Sequence, residues 1–171
     1  MASMLHTHRK LGLAIAALVL IADQAVKHAM IDILQLKSRA VIHIISFFDL
    51  RWAENRGVSM GMLTADSEAQ RWMLVAFTAL LSVGILVWMW REQQKGEIWA
   101  LGMVLGGAIG NIIDRVRFGY VVDYADLHFG SFRPFFIFNL ADAAISVGVL
   151  ILLLRAFLPR KDGTNQSMET I

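Results

Sequence analysis

From Trp72 to Trp90 the chain runs for 19 residues without an ionisable side chain, and tryptophan stands at both ends of the run. A hydrocarbon layer about 30 Å thick is crossed by roughly 20 helical residues at about 1.5 Å each, and indole rings collect at its two interfaces. The segment therefore reads as a membrane span. Three further runs approach the same standard: Leu11–Ile31, interrupted by Asp23 and Lys27; Ile98–Ile113, in which Gly102, Gly106 and Gly110 recur every four residues; and Phe135–Leu154, whose only charge is Asp142. Glycine at that spacing lies along one helix face and lets two backbones approach closely inside a membrane. A cleaved signal peptide is the competing reading of the first run, but no A-x-A site closes it and the apolar pattern continues past Asp23.

The expected architecture is a single integral, all-α membrane domain, residues 1–171, with four transmembrane helices at about 11–31, 72–90, 98–113 and 135–158. Connections at about 32–71 and 114–134 share one side, and a polar tail, 159–171, ends on the other. Composition agrees: 57% of the 171 residues are hydrophobic and 18% charged, against about a quarter charged in ordinary soluble domains. Cysteine is absent, which removes disulfides, thiolate nucleophiles and cysteine-held metals. A net charge of +2 is too small for nucleic-acid binding. Seven Lys and Arg lie on the terminal side and eight in the two opposite connections, but the terminal segments are shorter and denser in positive charge, which places the termini in the cytoplasm.

A charge inside a span costs on the order of 3 kcal/mol and needs a reason. Here the intrusions lie at one depth: Asp23 and Lys27 in the distal half of the first span, Asn111 and Asp114 at the distal end of the third, Asn139 and Asp142 at the start of the fourth. Asn55, Arg56, Gly57, Arg115 and Asp123 belong to the same side. Asp23 and Lys27, spaced i,i+4 with the acid first, form an ion pair that either neutralises two charges within a packed helix or takes part in chemistry. Asn111, Asp114 and Arg115 share one helix face, either as a bracket for the next loop and a neighbouring helix or as part of a site. Asp142 has no basic residue within a turn, and Asn139 is placed to hydrogen-bond it. Residues 119–129 are too short and polar to span and read as a strand or extended loop; alternation sets Asp123 on the apolar face, toward the bundle, and turns Asp126 and His128 toward solvent.

Two carboxylates brought together at the edge of hydrocarbon share a proton, so that one activates water while the other polarises a carbonyl, as in aspartic proteases. A structural or ion-coupling role for Asp123 and Asp142 is the alternative, and a small ion- or proton-coupled transporter is the corresponding second function. No internal repeat supports the transporter, and the polar groups gather toward one face rather than the midplane. The five histidines lack metal-binding spacing, so neither a metal nor another cofactor is expected.

At these residues the sequence resembles the lipoprotein signal peptidases, or signal peptidase II. The family's Asp-Gln-x-x-Lys is similar to Asp23-Gln24-Ala25-Val26-Lys27, its Asn-x-Gly to Asn55-Arg56-Gly57, and its Gly-Gly-Ala-x-Gly-Asn-x-x-Asp-Arg to residues 106–115. Val-x-Asp-aromatic matches Val121-Val122-Asp123-Tyr124, and Phe-Asn-x-Ala-Asp matches Phe138-Asn139-Leu140-Ala141-Asp142. The resemblance implies a membrane aspartic endopeptidase of the bacterial inner membrane that removes signal peptides just before a diacylglyceryl-modified cysteine. By motif position its catalytic aspartates fall on Asp123 and Asp142, and its substrate-binding or supporting residues on Asp23, Lys27, Asn55, Gly57, Asn111, Asp114, Arg115, Asn139 and Ala141. It further implies cytoplasmic termini, a site facing the periplasm, a small extracytoplasmic β-element with a short periplasmic helix or loop, and no cofactor. The partners implied are lipid-modified prolipoproteins, membrane lipid and globomycin-type peptide inhibitors, with the protein a monomer. Two departures stand out: Val58-Ser59-Met60-Gly61-Met62 follows the Asn-x-Gly motif where small residues and an aromatic are usual, and Tyr124 stands where Phe is common.

Overall fold

In the computed structural model, which describes residues 2–58, 63–64 and 68–157 and side chains within 8–57 and 68–157, long apolar helices carry a small antiparallel sheet at one end. Helix α1 (Ala2–His28) continues through a π-helical turn, Ala29–Ile33, into the one-turn α2 (Leu36–Arg39). The strands β1 (Val41–Ile45) and β2 (Phe48–Asn55) follow, then the two-residue pair β3 (Gly57–Val58) and β4 (Leu63–Thr64). Helices α3 (Glu68–Arg91) and α4 (Lys95–Phe118) lead to β5 (Val121–Leu127), and α5 (Leu140–Ala156) closes the described chain.

Among the described residues three helical stretches are long and apolar enough to cross a membrane: His8–Ile33, Glu68–Arg91 and Lys95–Phe118. Helix α5 is as apolar but only 17 residues long. Of the three, α4 is the centre, with 61% of its apolar stretch buried against 17% and 11% for the other two. Hydrocarbon gives helices no hydrophobic reason to associate, so close van der Waals contact must do it. A side chain at Gly102 would come within 2.5 Å of the Gly12 carbonyl, and one at Gly106 would strike the Ala16 carbonyl. The glycine face of α4 is thus the face that takes α1. Polar groups of the outer helix are satisfied within it, the Thr78 and Ser82 hydroxyls donating to the Leu74 and Thr78 carbonyls at 2.7 and 2.8 Å.

At the end of α4, Gly119 adopts φ +85 and its N–H caps the Arg115 carbonyl at 3.1 Å, so the helix turns at once into β5. The sheet runs β1-β2-β5, all antiparallel, with Ala53 opposite Asp123 and Asn55 opposite Val121. Asn55 and Asp123 therefore share a sheet face as diagonal neighbours.

Two expectations need correction. The apolar run beginning at Phe135 is not helical until Leu140: the Phe138 N–H and carbonyl are taken by Ala125 of β5, at 3.1 and 2.8 Å, and Asn139 is extended and caps the helix. Asp142 consequently lies in the first turn of the helix. Asp126 and His128 do point away from Asp123, but that face is not open to solvent. Asp126 is 1% exposed, because residues 129–138 fold back over it and Arg51 and Arg133 pair with it at 2.8 and 3.1 Å. His128, largely covered, lies 3.2 Å from Asp49. Burial works against the charge of Asp126, but hydrogen bonds from Arg133 and Arg51 outweigh it and hold this carboxyl below its ordinary range. The Ser59-Met60-Gly61-Met62 departure and the tail expected over 159–171 lie outside the described residues.

Candidate active site

Four elements meet where α4 passes into β5, and their polar groups form one connected network. Its centre is Lys27, 2% exposed, whose ammonium lies 2.8 Å from Asp23 and 2.7 Å from Asp114 and donates to Asn111 Oδ1 at 3.3 Å. An ammonium has three donors and no acceptor, and all three are used. The two carboxylates around it are then spent on holding backbone. Asp114 Oδ2 accepts from the Val122 N–H at 3.1 Å, which fixes the first residues of β5. Asp23 Oδ1 accepts from the Ala141 N–H at 3.1 Å, which fixes the start of α5.

The N-terminus of α5 shows why Asp142 stands where it does. A helix leaves its first amides without internal partners, and each is satisfied here: Leu140 N–H by the Tyr124 hydroxyl at 3.1 Å, Ala141 N–H by Asp23, Asp142 N–H by Asn139 Oδ1 at 2.9 Å and Ala143 N–H by the Asn139 carbonyl at 3.2 Å. Asp142 Oδ2 in return accepts from the Asn139 N–H at 3.2 Å, completing a capping box. Burial pushes the Tyr124 hydroxyl up to about 12, so it remains a neutral phenol. Ala141, wholly buried, contributes through its backbone and its small side chain beside Gly110.

Asp123 faces this corner from β5. Asn139 Nδ2 donates to Asp123 Oδ1 at 2.6 Å and to the Val122 carbonyl at 3.3 Å, while Asn111 Nδ2 donates to Asp142 Oδ1 at 2.9 Å. Asn139 thus holds Asp123 with its side chain and Asp142 with its backbone. Burial first, and then the charge of Asp142, push the Asp123 carboxyl up from 3.8 to about 7, against hydrogen bonds from Asn55 and Asn139 and the charge of Lys27. Asn55 keeps its direction because its Oδ1 accepts from the Gly57 N–H at 3.1 Å. Gly57 has φ 135, a conformation that a side chain would strain. The Arg115 guanidinium feels the charges of Asp142, Asp123 and Asp114; among the described residues it donates to the Asn111 carbonyl at 3.4 Å and its buried Nε has no partner.

The eleven residues to which the resemblance assigns catalytic or supporting roles gather at this network, Asn55 and Gly57 joining it from the sheet. Two further groups belong to the network without a role assigned from sequence: Gln24, whose amide spans Asp23 Oδ2 and Asp114 Oδ1 at 3.2 and 3.1 Å, and the Tyr124 hydroxyl. Gln24 was visible inside the Asp-Gln-x-x-Lys pattern; the partner of Tyr124 was not, since nothing local pairs it with residue 140. Among the described residues no group of three or more His, Asp or Glu is disposed to hold a metal ion.

A family model described as signal peptidase (SPase) II matches residues 15–158. A lipoprotein signal peptidase of Rhizorhabdus wittichii is 58% identical over 154 residues, 90% of each chain, and one of Sphingopyxis alaskensis is 49% identical over 158 residues, 92% of this chain and 91% of that one. A bacterial membrane enzyme solved by the in meso method superposes with a TM-score of 0.74 at 24% identity, covering 95% of this chain and 94% of its own, which speaks for the fold. Together with the membrane helices, these matches place the chain in the signal peptidase II family, as a membrane-embedded peptidase.

Proposed function

We propose that Asp123 and Asp142 are the catalytic dyad of an aspartic endopeptidase that cuts prolipoproteins just before a diacylglyceryl-modified cysteine. The observation that carries this reading is the bridging of the two carboxylates by one residue, Asn139. Neighbouring acids in a partly dry corner cannot both ionise cheaply, and the raised carboxyl of Asp123 fits the member that holds the proton near neutral pH. The Asp142 carboxylate takes a proton from water as the oxygen attacks the scissile carbonyl. Asp123 gives its proton to the carbonyl oxygen; the tetrahedral intermediate then collapses with breaking of its C–N bond, the departing amine receiving the proton held by Asp142 while a hydroxyl of the intermediate returns a proton to Asp123. The Arg115 guanidinium, close enough to Asp142 and Asp123 to feel their charges, is placed to assist a peptide carbonyl bound at the dyad.

Helix α5, at 17 residues, is at the short end of what crosses a bilayer, and we read it as the fourth span, with termini in the cytoplasm and the dyad toward the periplasm of a bacterial inner membrane. The lipid chains of the substrate remain in the bilayer while its scissile bond reaches the dyad, and globomycin-type peptides would compete for that place. The chain acts as a monomer without cofactor on this reading. The family assignment disfavours an ion-coupled transporter. The test is incubation of the purified protein with a prolipoprotein carrying or lacking the diacylglyceryl group. Release of the signal peptide from the lipidated form alone is expected; equal release from both would refute the assignment of substrate.

A further inference from the structure

We infer that Lys27 is a positioning residue that makes Asp142, rather than Asp123, the charged and water-activating member of the dyad, by dictating which way the Asn111 amide faces. This rests on the catalytic reading above and names the contacts that impose its division of labour. An asparagine amide can present either its oxygen or its NH2 group, and its neighbours choose. Asn111 Oδ1 meets two groups that only donate toward it: the Lys27 ammonium at 3.3 Å and the Asn139 NH2 at 3.3 Å. Turning the amide over would set an NH2 against an ammonium and an oxygen against a carboxylate. With the oxygen pinned by Lys27, the Asn111 NH2 is delivered to Asp142 Oδ1 at 2.9 Å. Asn139 is locked by the same logic, because its oxygen is committed to the Asp142 N–H at 2.9 Å and its NH2 must turn to Asp123.

The result is asymmetric. Each oxygen of Asp142 receives a donor, one from Asn111 and one from the Asn139 N–H, and the side chain sits in the first turn of α5, where the helix dipole favours negative charge. Asp123 takes the NH2 of Asn139 in a more enclosed place at the edge of the sheet, where burial favours its neutral form. The charged and titratable groups facing the dyad are Asp23 and Lys27 from α1, Asp114 and Arg115 from α4, and Tyr124 from β5. Lys27 is the one cation among them that also directs a donor at Asp142.

Removing Lys27 alone would leave Asp23 and Asp114 buried without their partner, so the test uses a neutral set, Asp23→Asn, Lys27→Met and Asp114→Asn. In this set the amide oxygens still accept from the Ala141 and Val122 N–H groups. The pH profile of kcat/KM is measured on the full-length protein with a lipidated precursor. The inference predicts a folded variant with KM near wild type, kcat lowered about tenfold or more, and the acidic limb of the dyad moved to higher pH by about one unit. A second variant, Asn111→Ala, keeps the ion cluster. It should show the same displacement, and combining it with the neutral set should add nothing further, as two steps in one chain of contacts require. If the neutral set is folded and its limb unmoved, or if the Asn111→Ala effect adds to it in full, the role given to Lys27 is wrong. Cleavage retained by Asp142→Asn would instead overturn the dyad, and this role with it.

Discussion

Replacing Asp123 by Asn should make the protein more stable while stopping cleavage, and the gain should depend on pH. A carboxyl that rises from 3.8 to about 7 on folding binds its proton more tightly in the folded protein, so the folded state is favoured by protonation. The cost of ionising it is absent below the unfolded value, grows as pH climbs through the interval, and is complete above the folded value. At about 1.4 kcal/mol for each pH unit, the cost is about 4 kcal/mol at pH 8 and about 1–2 kcal/mol at pH 5. Asparagine cannot ionise and keeps the place and shape of the neutral acid, so Asp123→Asn recovers most of this amount. The difference of about 2–3 kcal/mol between the two conditions corresponds to roughly 5–10 °C in unfolding temperature for a chain of this length. Thermal unfolding of the purified protein and variant in one detergent, at pH 5 and pH 8, measures it. A variant no more stable than wild type at pH 8, or a gain larger at pH 5, would refute the reasoning, because either result means that Asp123 is not held against its charge.

Other consequences of the same geometry can be checked on purified protein. Tyr124→Phe removes the acceptor of the Leu140 N–H and should cost about 1–3 kcal/mol of stability, with kcat within a fewfold of wild type because the Asn139 cap is untouched; an unchanged unfolding temperature would contradict this. Gly110→Ala places a carbon 2.6 Å from Asp23 Oδ2 and should destabilise by about 1–3 kcal/mol while lowering kcat, since Asp23 must move off Lys27 and the Ala141 N–H. Asp126→Asn should keep most of the activity but lower the unfolding temperature at neutral pH. The depressed Asp126 carboxyl lends stability that is present above the unfolded value and fades as pH falls through the folded one, so the variant's deficit should shrink in acid.

The parts of this fold legible in the sequence were those with a local period. The glycine face of α4, the spacing of Asp23 and Lys27, and the alternation that turns Asp123 toward the bundle each follow from a helix or strand repeat. Where a side chain answers to a residue far along the chain, the sequence is mute. Asp126 read as exposed because alternation names a face without saying what covers it; Arg133 and Phe138 do so only once residues 129–138 have folded back onto β5. Hydropathy runs unbroken through Phe135 and Phe136 and so does not locate the start of α5, whereas backbone pairing of Phe138 with Ala125 decides the boundary. Motif position brought Asp123 and Asp142 together on paper, but the reason they meet is the shared use of Asn139, which no spacing expresses.

The central claim is tested most directly by incubating a purified diacylglyceryl-prolipoprotein with wild-type protein, Asp123→Asn and Asp142→Asn, all shown to be folded in the same micelles. Wild type should release the signal peptide and leave the lipidated cysteine as the new N-terminus, while each variant should release none above background. Cleavage by either variant at near the wild-type rate would contradict the dyad.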